Sequence, residues 1–262
     1  MFPIINIGPF AVAATPLILF LGLLSGIFLM NSHAKKLSIS TSTIENLILV
    51  SLIGGLIGAR FGFVVRYWQS FTGDMLSALK LSATMFDRDF GMICALLIGL
   101  IYSQKKEIFL WQTLDHLTIV LITFMPFYYI SQLASGDAYG KVSSLPWAIF
   151  VWGNFRHPIQ IYLANASGII LLIYLLSTKF LKRRMFPQEG YQFLFLVTLS
   201  AFCSLILDIF YEVNKLIFKT IHVNQFYALI IILICFFIFL YRTKIKRTPK
   251  LIIFSEGEQN GN

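Results

Sequence analysis

Apolar runs of about 20 residues recur along the whole 262-residue chain. That is the length a helix needs to cross a hydrocarbon layer of about 30 Å. Lipid offers no partner for an unpaired backbone amide, so such runs are expected to be helical. Only 13% of the residues are charged and 57% are hydrophobic, Phe alone contributing 26, whereas charged residues make up about a quarter of a soluble domain. The expected fold class is all-α: a polytopic membrane protein with about seven transmembrane helices.

Setting the runs against the charges places the spans at about Phe10–Met30, Ile44–Tyr67, Asp89–Tyr102, Asp115–Leu133, Pro158–Leu176, Tyr191–Tyr211 and Gln225–Tyr241. The third is the shortest. The opening "MFPIINIGPF" has no basic region of the kind that precedes a cleaved signal core, so the first span reads as a retained anchor. Lys and Arg favour the cytoplasmic side of a membrane. The connections after spans one, three, five and seven hold 13 of them, and those on the other side hold 6. The amino terminus is therefore expected outside and the carboxyl terminus inside. Read this way, the net charge of +9 is a signal of topology and of contact with anionic membrane lipids, not of nucleic acid. With no linker or internal repeat, residues 1–250 are expected to form one membrane domain, followed by a polar tail, 251–262, ending in "SEGEQNGN". Cys94, Cys203 and Cys235 fall singly inside spans without metal-type spacing, and no metal or other cofactor is expected.

Polar groups at membrane depth are costly, which makes them candidates for function. In "LIGGLIGARFGFVVRYW", Arg60 lies among Gly54, Gly55, Gly58 and Gly62. Small residues let a backbone or a lipid head group approach, and a guanidinium matches phosphate in a bidentate fork. The alternative is that the glycines only pack helices and that Arg60 and Arg66 reach out to an interface. In "FDRDFG", Asp89 is either a base at the outer boundary or part of a solvated Asp87–Arg88–Asp89 loop. "YYISQLASGDAYG" gathers Tyr128, Tyr129, Ser131, Gln132, Ser135 and Asp137 before Gly140, either as a fold back into a polar cavity or as an interfacial belt. "RHPIQIY" starts a span with Arg156 and His157, either as a helix amino terminus whose cation suits an anion such as phosphate or as a satisfied capping histidine. Pro158 suits the first helical position, and Gln160 is placed to share a cavity with the Tyr162 hydroxyl.

Taken in order, "NIGPF", "GGLIGARFGFVVRY", the Leu114–Asp115 pair, "SGDAYG" and "RHPIQIY" resemble the prolipoprotein diacylglyceryl transferases from end to end. The resemblance implies a multi-pass enzyme of the bacterial plasma membrane. It would transfer the diacylglyceryl group of phosphatidylglycerol to the lipobox cysteine of prolipoprotein signal peptides and release glycerol phosphate. It also implies that Arg60, Gly140, His157, Gln160 and Tyr162 match family positions, as does Asp137, which stands for a Glu. Other positions differ from the pattern. Tyr129 stands at an arginine, Gln132 and Ser135 at asparagines, Asp89 at a histidine, Leu163 at a Glu and Thr15 at a tyrosine. In span six "SLILDIFY" keeps Asp208 but neither arginine. The expected assignments are Asp89 and His157 as catalytic residues, with Arg60, Tyr129, Gln132, Asp137, Gly140, Gln160 and Tyr162 binding substrate. The other reading of these departures is a relative that binds phospholipid or signal segments without transfer.

Overall fold

The structure is a computed structural model and describes residues 4–7, 10–33, 40–73, 85–180, 188–212, 216–217 and 221–247. Among these, seven long helices form the molecule: α1 (Ala14–Ser32), α2 (Thr41–Arg66), α3 (Arg88–Lys105), α4 (Leu110–Ser135), α5 (Ile159–Phe180), α6 (Tyr191–Leu207) and α7 (Val223–Arg247). All but α3 are long and apolar enough to cross a membrane. The 18 residues of α3 include Arg88, Asp89 and Lys105, and these charges at its two ends leave too short an apolar stretch between them.

Three antiparallel hairpins depart from a purely helical chain: β1 (Ile4–Ile7) with β2 (Phe10–Ala13), β3 (Ile149–Val151) with β4 (Asn154–Arg156), and β5 (Leu216–Ile217) with β6 (Ile221–His222). The expected first span starts too early for this reason, since Phe10–Ala13 is strand and the helix begins at Ala14. The tail 251–262 lies outside the described residues.

The helices pack mainly in pairs, α1 along α4, α2 along α3, α4 along α5 and α6 along α7. Small residues set two of these contacts. In α1, Gly22 faces the Phe127 ring and Gly26 faces Val120, four residues apart on one side of the helix. Along α2, Gly54, Gly55, Gly58 and Gly62 meet Ile98, Ala95, Cys94 and Phe90 of α3 in turn. The glycine-lined surface of α2 is thus filled by a neighbouring helix. The core joins Met30 at the end of α1, Ile44 and Ile48 at the start of α2, Ile119, Val120 and Ile122 of α4, Ile170 and Tyr174 of α5, and Leu196 of α6. This cluster joins the end of α1 and the start of α2 to the middle of α4.

Asp115 shows how a charge is accommodated at depth. Its carboxylate accepts from the Gly190 amide at 2.7 Å and the Phe193 amide at 3.0 Å, so α4 supplies the amino-terminal cap of α6. Gly190 takes φ +86° there, with the Trp111 ring against its Cα, where no side chain fits.

At Gly91 an added Cβ would lie 2.7 Å from Ala59 Cβ and 2.9 Å from the Gly55 carbonyl, whereas at Gly168 it would meet nothing within 4 Å. Gly91→Ala is expected to lower stability by about 1–3 kcal/mol, read as a drop in the thermal midpoint of the purified protein, while Gly168→Ala leaves the midpoint unchanged or raises it.

Candidate active site

The end of the bundle where α4 stops and α5 starts is polar because the chain turns there. Gly136 closes α4 in the left-handed region at φ +81°, and the amides of Gly136 and Asp137 both return to the Gln132 carbonyl at 3.0 Å. The next hairpin turns on Trp152 and Gly153, both at positive φ, the geometry that matches the twist of a two-residue hairpin. Trp152 and Ala138 are non-glycine residues held at φ +51° and +54°, a conformation costing about 1 kcal/mol or more for each. Side chains pin this backbone: Trp152 Nε1 donates to the Gly136 carbonyl at 3.2 Å, and Gln160 Nε2 donates to the Asp137 carbonyl at 2.6 Å.

Gly140 is the crossing point. Its backbone bridges to Tyr211, and an added Cβ would lie 2.5 Å from the His157 carbonyl and 3.0 Å from the Phe210 carbonyl. The neighbouring Lys141 amide donates to the Phe210 carbonyl, and the His157 amide to the Lys141 carbonyl. The loop after α4, the start of α5 and the end of α6 are stitched together through this one glycine.

Around it stand most of the residues selected from the sequence. His157 Nδ1 lies 3.4 Å from the Tyr162 hydroxyl, which also accepts from Trp147 Nε1 at 2.8 Å. The His157 ring packs on Phe210 with centroids 5.0 Å apart. Gln160 is 1% exposed, and its Nε2 is taken up by the Asp137 carbonyl. Pro158 sits one residue before the helix, its carbonyl accepting from the Tyr162 amide. Gln132 Nε2 donates to the Tyr128 hydroxyl at 3.0 Å, and Ser135 Oγ donates to Asp137 Oδ2 at 2.8 Å. Tyr129 stacks edge-on against Tyr128 and lines a narrow crevice with Leu163, Ser167, Cys203 and Ser204. The side-chain oxygens of Gln132 and Gln160 are buried with no donor among the described residues, which leaves two acceptors for an incoming hydroxyl.

Two expected members stand apart. Arg60 belongs to the α2–α3 pair, where Nη1 donates to the Met85 carbonyl at 3.0 Å and the guanidinium lies 5.9 Å and 5.8 Å from the Phe63 and Phe71 centroids. Asp89 is exposed on the first turn of α3, 3.7 Å from Arg88, and no hydrogen bond or ion pair among the described residues joins it to His157. The solvated-loop reading fails for its neighbour: Asp87 is buried, caps α3 through the Phe90 amide and pairs with Arg66 at 2.7 Å. Arg156 is no open anion clamp. Its guanidinium is held by the carbonyls of Val151 and Gly140, by Glu212 at 3.5 Å and by the Tyr139 ring at 4.8 Å.

The structure adds a pair that span-by-span reading does not assemble. Asp208, 2% exposed at the end of α6, accepts from His222 Nδ1 at 2.8 Å and from Asn224 Nδ2 at 3.2 Å. With Nδ1–H directed at the carboxylate, the imidazole lone pair is on Nε2. His222 sits in the short β5–β6 hairpin, and the one sequence signal pointing to it is the Asp208 that survives in "SLILDIFY". Next to it, burial pushes the Tyr211 phenol up to about 12, helped by Tyr129, Tyr128 and Asp208. Tyr211, standing where the family pattern has an arginine, is thus a neutral hydrogen-bonding group at physiological pH.

A model of the family described as prolipoprotein diacylglyceryl transferase matches residues 3–241. The chain belongs to that family. A protein of Aliarcobacter butzleri is 27% identical over 92% of this chain and 93% of its own length. One from Rickettsia canadensis is 25% identical over 80% and 83%, and one from Azoarcus sp. is 28% identical over 64% and 66%. All three are named phosphatidylglycerol–prolipoprotein diacylglyceryl transferase.

Because the neutral Tyr211 phenol is favoured in the folded protein, stability falls as pH rises from about 10, where a free tyrosine ionises, through about 12. The difference in tyrosinate absorbance between the parent protein and Tyr211→Phe is expected to titrate near pH 12. A midpoint at the ordinary tyrosine value of about 10 would show that the phenol is not buried.

Proposed function

We infer that this chain is a transferase of lipoprotein biosynthesis in the bacterial plasma membrane, moving the diacylglyceryl group of phosphatidylglycerol onto a prolipoprotein cysteine. The observation that carries the reading at residue level is the convergence on Gly140. Seven of the nine residues selected from the sequence lie on the elements that meet there, at the expected outer end of a bundle matched to the family over residues 3–241. We propose that the protein substrate is recognised through its lipobox signal segment.

The reaction forms a bond from the cysteine sulfur to the terminal carbon of the diacylglyceryl unit. It breaks that carbon's bond to the phosphate oxygen, and glycerol phosphate leaves with the electron pair. Three demands follow: a thiolate, a stabilised phosphate and an oriented glycerol head. The buried acceptor oxygens of Gln132 and Gln160 suit the hydroxyls of a glycerol head group. Arg60, which the expected topology puts on the same outer side although it belongs to the α2–α3 pair, is assigned to the phosphodiester. Of the two imidazoles at this end, His222 is assigned the thiol proton. Its Nδ1–H on Asp208 presents Nε2 as a base and stabilises the imidazolium that forms. His157, with Nδ1 engaged by the Tyr162 hydroxyl, is assigned to orienting substrate. Asp89 has no part in this scheme.

Purified protein reconstituted with phosphatidylglycerol labelled in its diacylglyceryl unit and a lipobox peptide is expected to place label on the cysteine. Arg60→Ala should cut the rate about tenfold or more. His222→Ala should cut the rate about a hundredfold or more, His157→Ala should lower it less, and Asp89→Ala should leave it unchanged. Lipid binding with no label transferred under any condition would favour the relative that binds without transferring.

A further inference from the structure

The opposite end of α6 carries a second polar feature that the transfer reaction does not use. Tyr191, Leu194, Phe195 and Thr198 on α6 face Ile232, Cys235, Phe236 and Phe239 on α7 across a groove enclosing about 300 Å³. The residues on α6 span two helical turns, so the groove runs for about 10 Å along the helix axes. Its lining is almost wholly apolar. Beyond Phe239, one turn further along α7, stands Arg242. Its guanidinium lies 4.4 Å from the Trp111 ring centroid, and Nη2 donates to the Glu189 carbonyl at 2.7 Å.

Two polar atoms here have no partner among the described residues. Tyr191 is 6% exposed, lines the groove and stacks on Phe239 at 5.2 Å, yet its hydroxyl is buried with nothing to bond. Arg242 Nε is buried in the same condition. The carboxylates nearby are committed elsewhere: Glu189 accepts from Gln112 Nε2 at 2.6 Å, and Asp115 holds the amides of Gly190 and Phe193. No carboxylate among the described residues pairs with Arg242. A guanidinium with no carboxylate partner among the described residues thus stands one helical turn beyond an apolar slot. A buried donor left unmade is unfavourable, and in lipid no water restores the bond.

We propose that this slot holds one anionic phospholipid, with its phosphate beside the Arg242 guanidinium and an acyl chain between α6 and α7 toward Thr198 and Ile232. Charge complementarity selects the anionic head and the apolar lining selects the chain. This lipid is distinct from the transfer substrate. The 17 residues of α6 put Tyr191 about 25 Å from Asp208, so the slot opens to the other leaflet, the expected cytoplasmic one. There the lipid fastens α7, the least buried of the membrane-spanning helices, to α6.

Trp111 reports on the site directly. The full chain, with Trp68, Trp147 and Trp152 replaced by Phe, is placed in bilayers containing phosphatidylserine or phosphatidylcholine brominated in the acyl chain, and quenching of Trp111 fluorescence is followed against the mole fraction of brominated lipid. Phosphatidylserine is expected to half-quench at a mole fraction about tenfold lower than phosphatidylcholine. Arg242→Gln should abolish that preference, and Thr198→Phe, which plugs the far end of the slot, should weaken it. Equal quenching by the two lipids, or a preference that survives Arg242→Gln, would overturn the proposal. If Arg242→Gln does not fold, the parent comparison and Thr198→Phe decide alone.

Discussion

In a bilayer a buried polar atom left without a partner is costly, and this constraint organises the rest of the structure. The middle of the bundle meets it by being apolar, and its hydroxyls turn back on their own helices, as Thr118 does to the Leu114 carbonyl and Thr123 to that of Ile119. The ionised groups collect at the helix ends. Asp87 caps α3, Asp115 caps α6 from a neighbouring helix, and Asp208 fixes an imidazole. Each carboxylate thereby does structural duty, and those tied to residues far along the chain determine which helix ends lie side by side.

The candidate site follows from that arrangement. Closing α4 with a left-handed glycine and folding the chain back through a hairpin brings three helix ends onto Gly140. The strained backbone at Ala138 and Trp152 is held by Gln160 and by a tryptophan N–H, so the amide that orders the loop also presents an unpaired acceptor to the site. Order and reactivity share the same few side chains. The absence of arginine at Tyr129 and Tyr211 gives this end of the bundle phenols, which donate hydrogen bonds without bringing charge to depth.

The helices were legible in the sequence because their cause is local: a run of apolar side chains long enough to span lipid needs no tertiary information. The polar cluster from Tyr128 to Tyr162 was legible for a related reason, since hydrogen-bonding residues interrupting such runs stand out. What the sequence concealed depends on neighbours. The glycines around Arg60 match either a lipid cleft or a helix contact, and only α3, with Cys94 and Phe90 against them, decides for the contact. Arg156 has the look of an anion clamp until Glu212, far along the chain, occupies it. Asp89 and Asp87 are two residues apart and chemically alike, yet one is exposed and the other buried beneath Arg66. His222 lies in a short connection without periodicity and gains meaning only from Asp208.

The central claim is that the cluster around Gly140 receives the head group of the lipid substrate. Phosphatidylglycerol carrying a photoreactive group on its terminal glycerol hydroxyl, cross-linked in bilayers and mapped by peptide mass spectrometry, tests this directly. Adducts concentrated in residues 128–162 and 208–222, and competed away by unlabelled phosphatidylglycerol, are the result this account predicts. Adducts confined to α3 around Asp89, or scattered over the lipid-facing surfaces without competition, would contradict it.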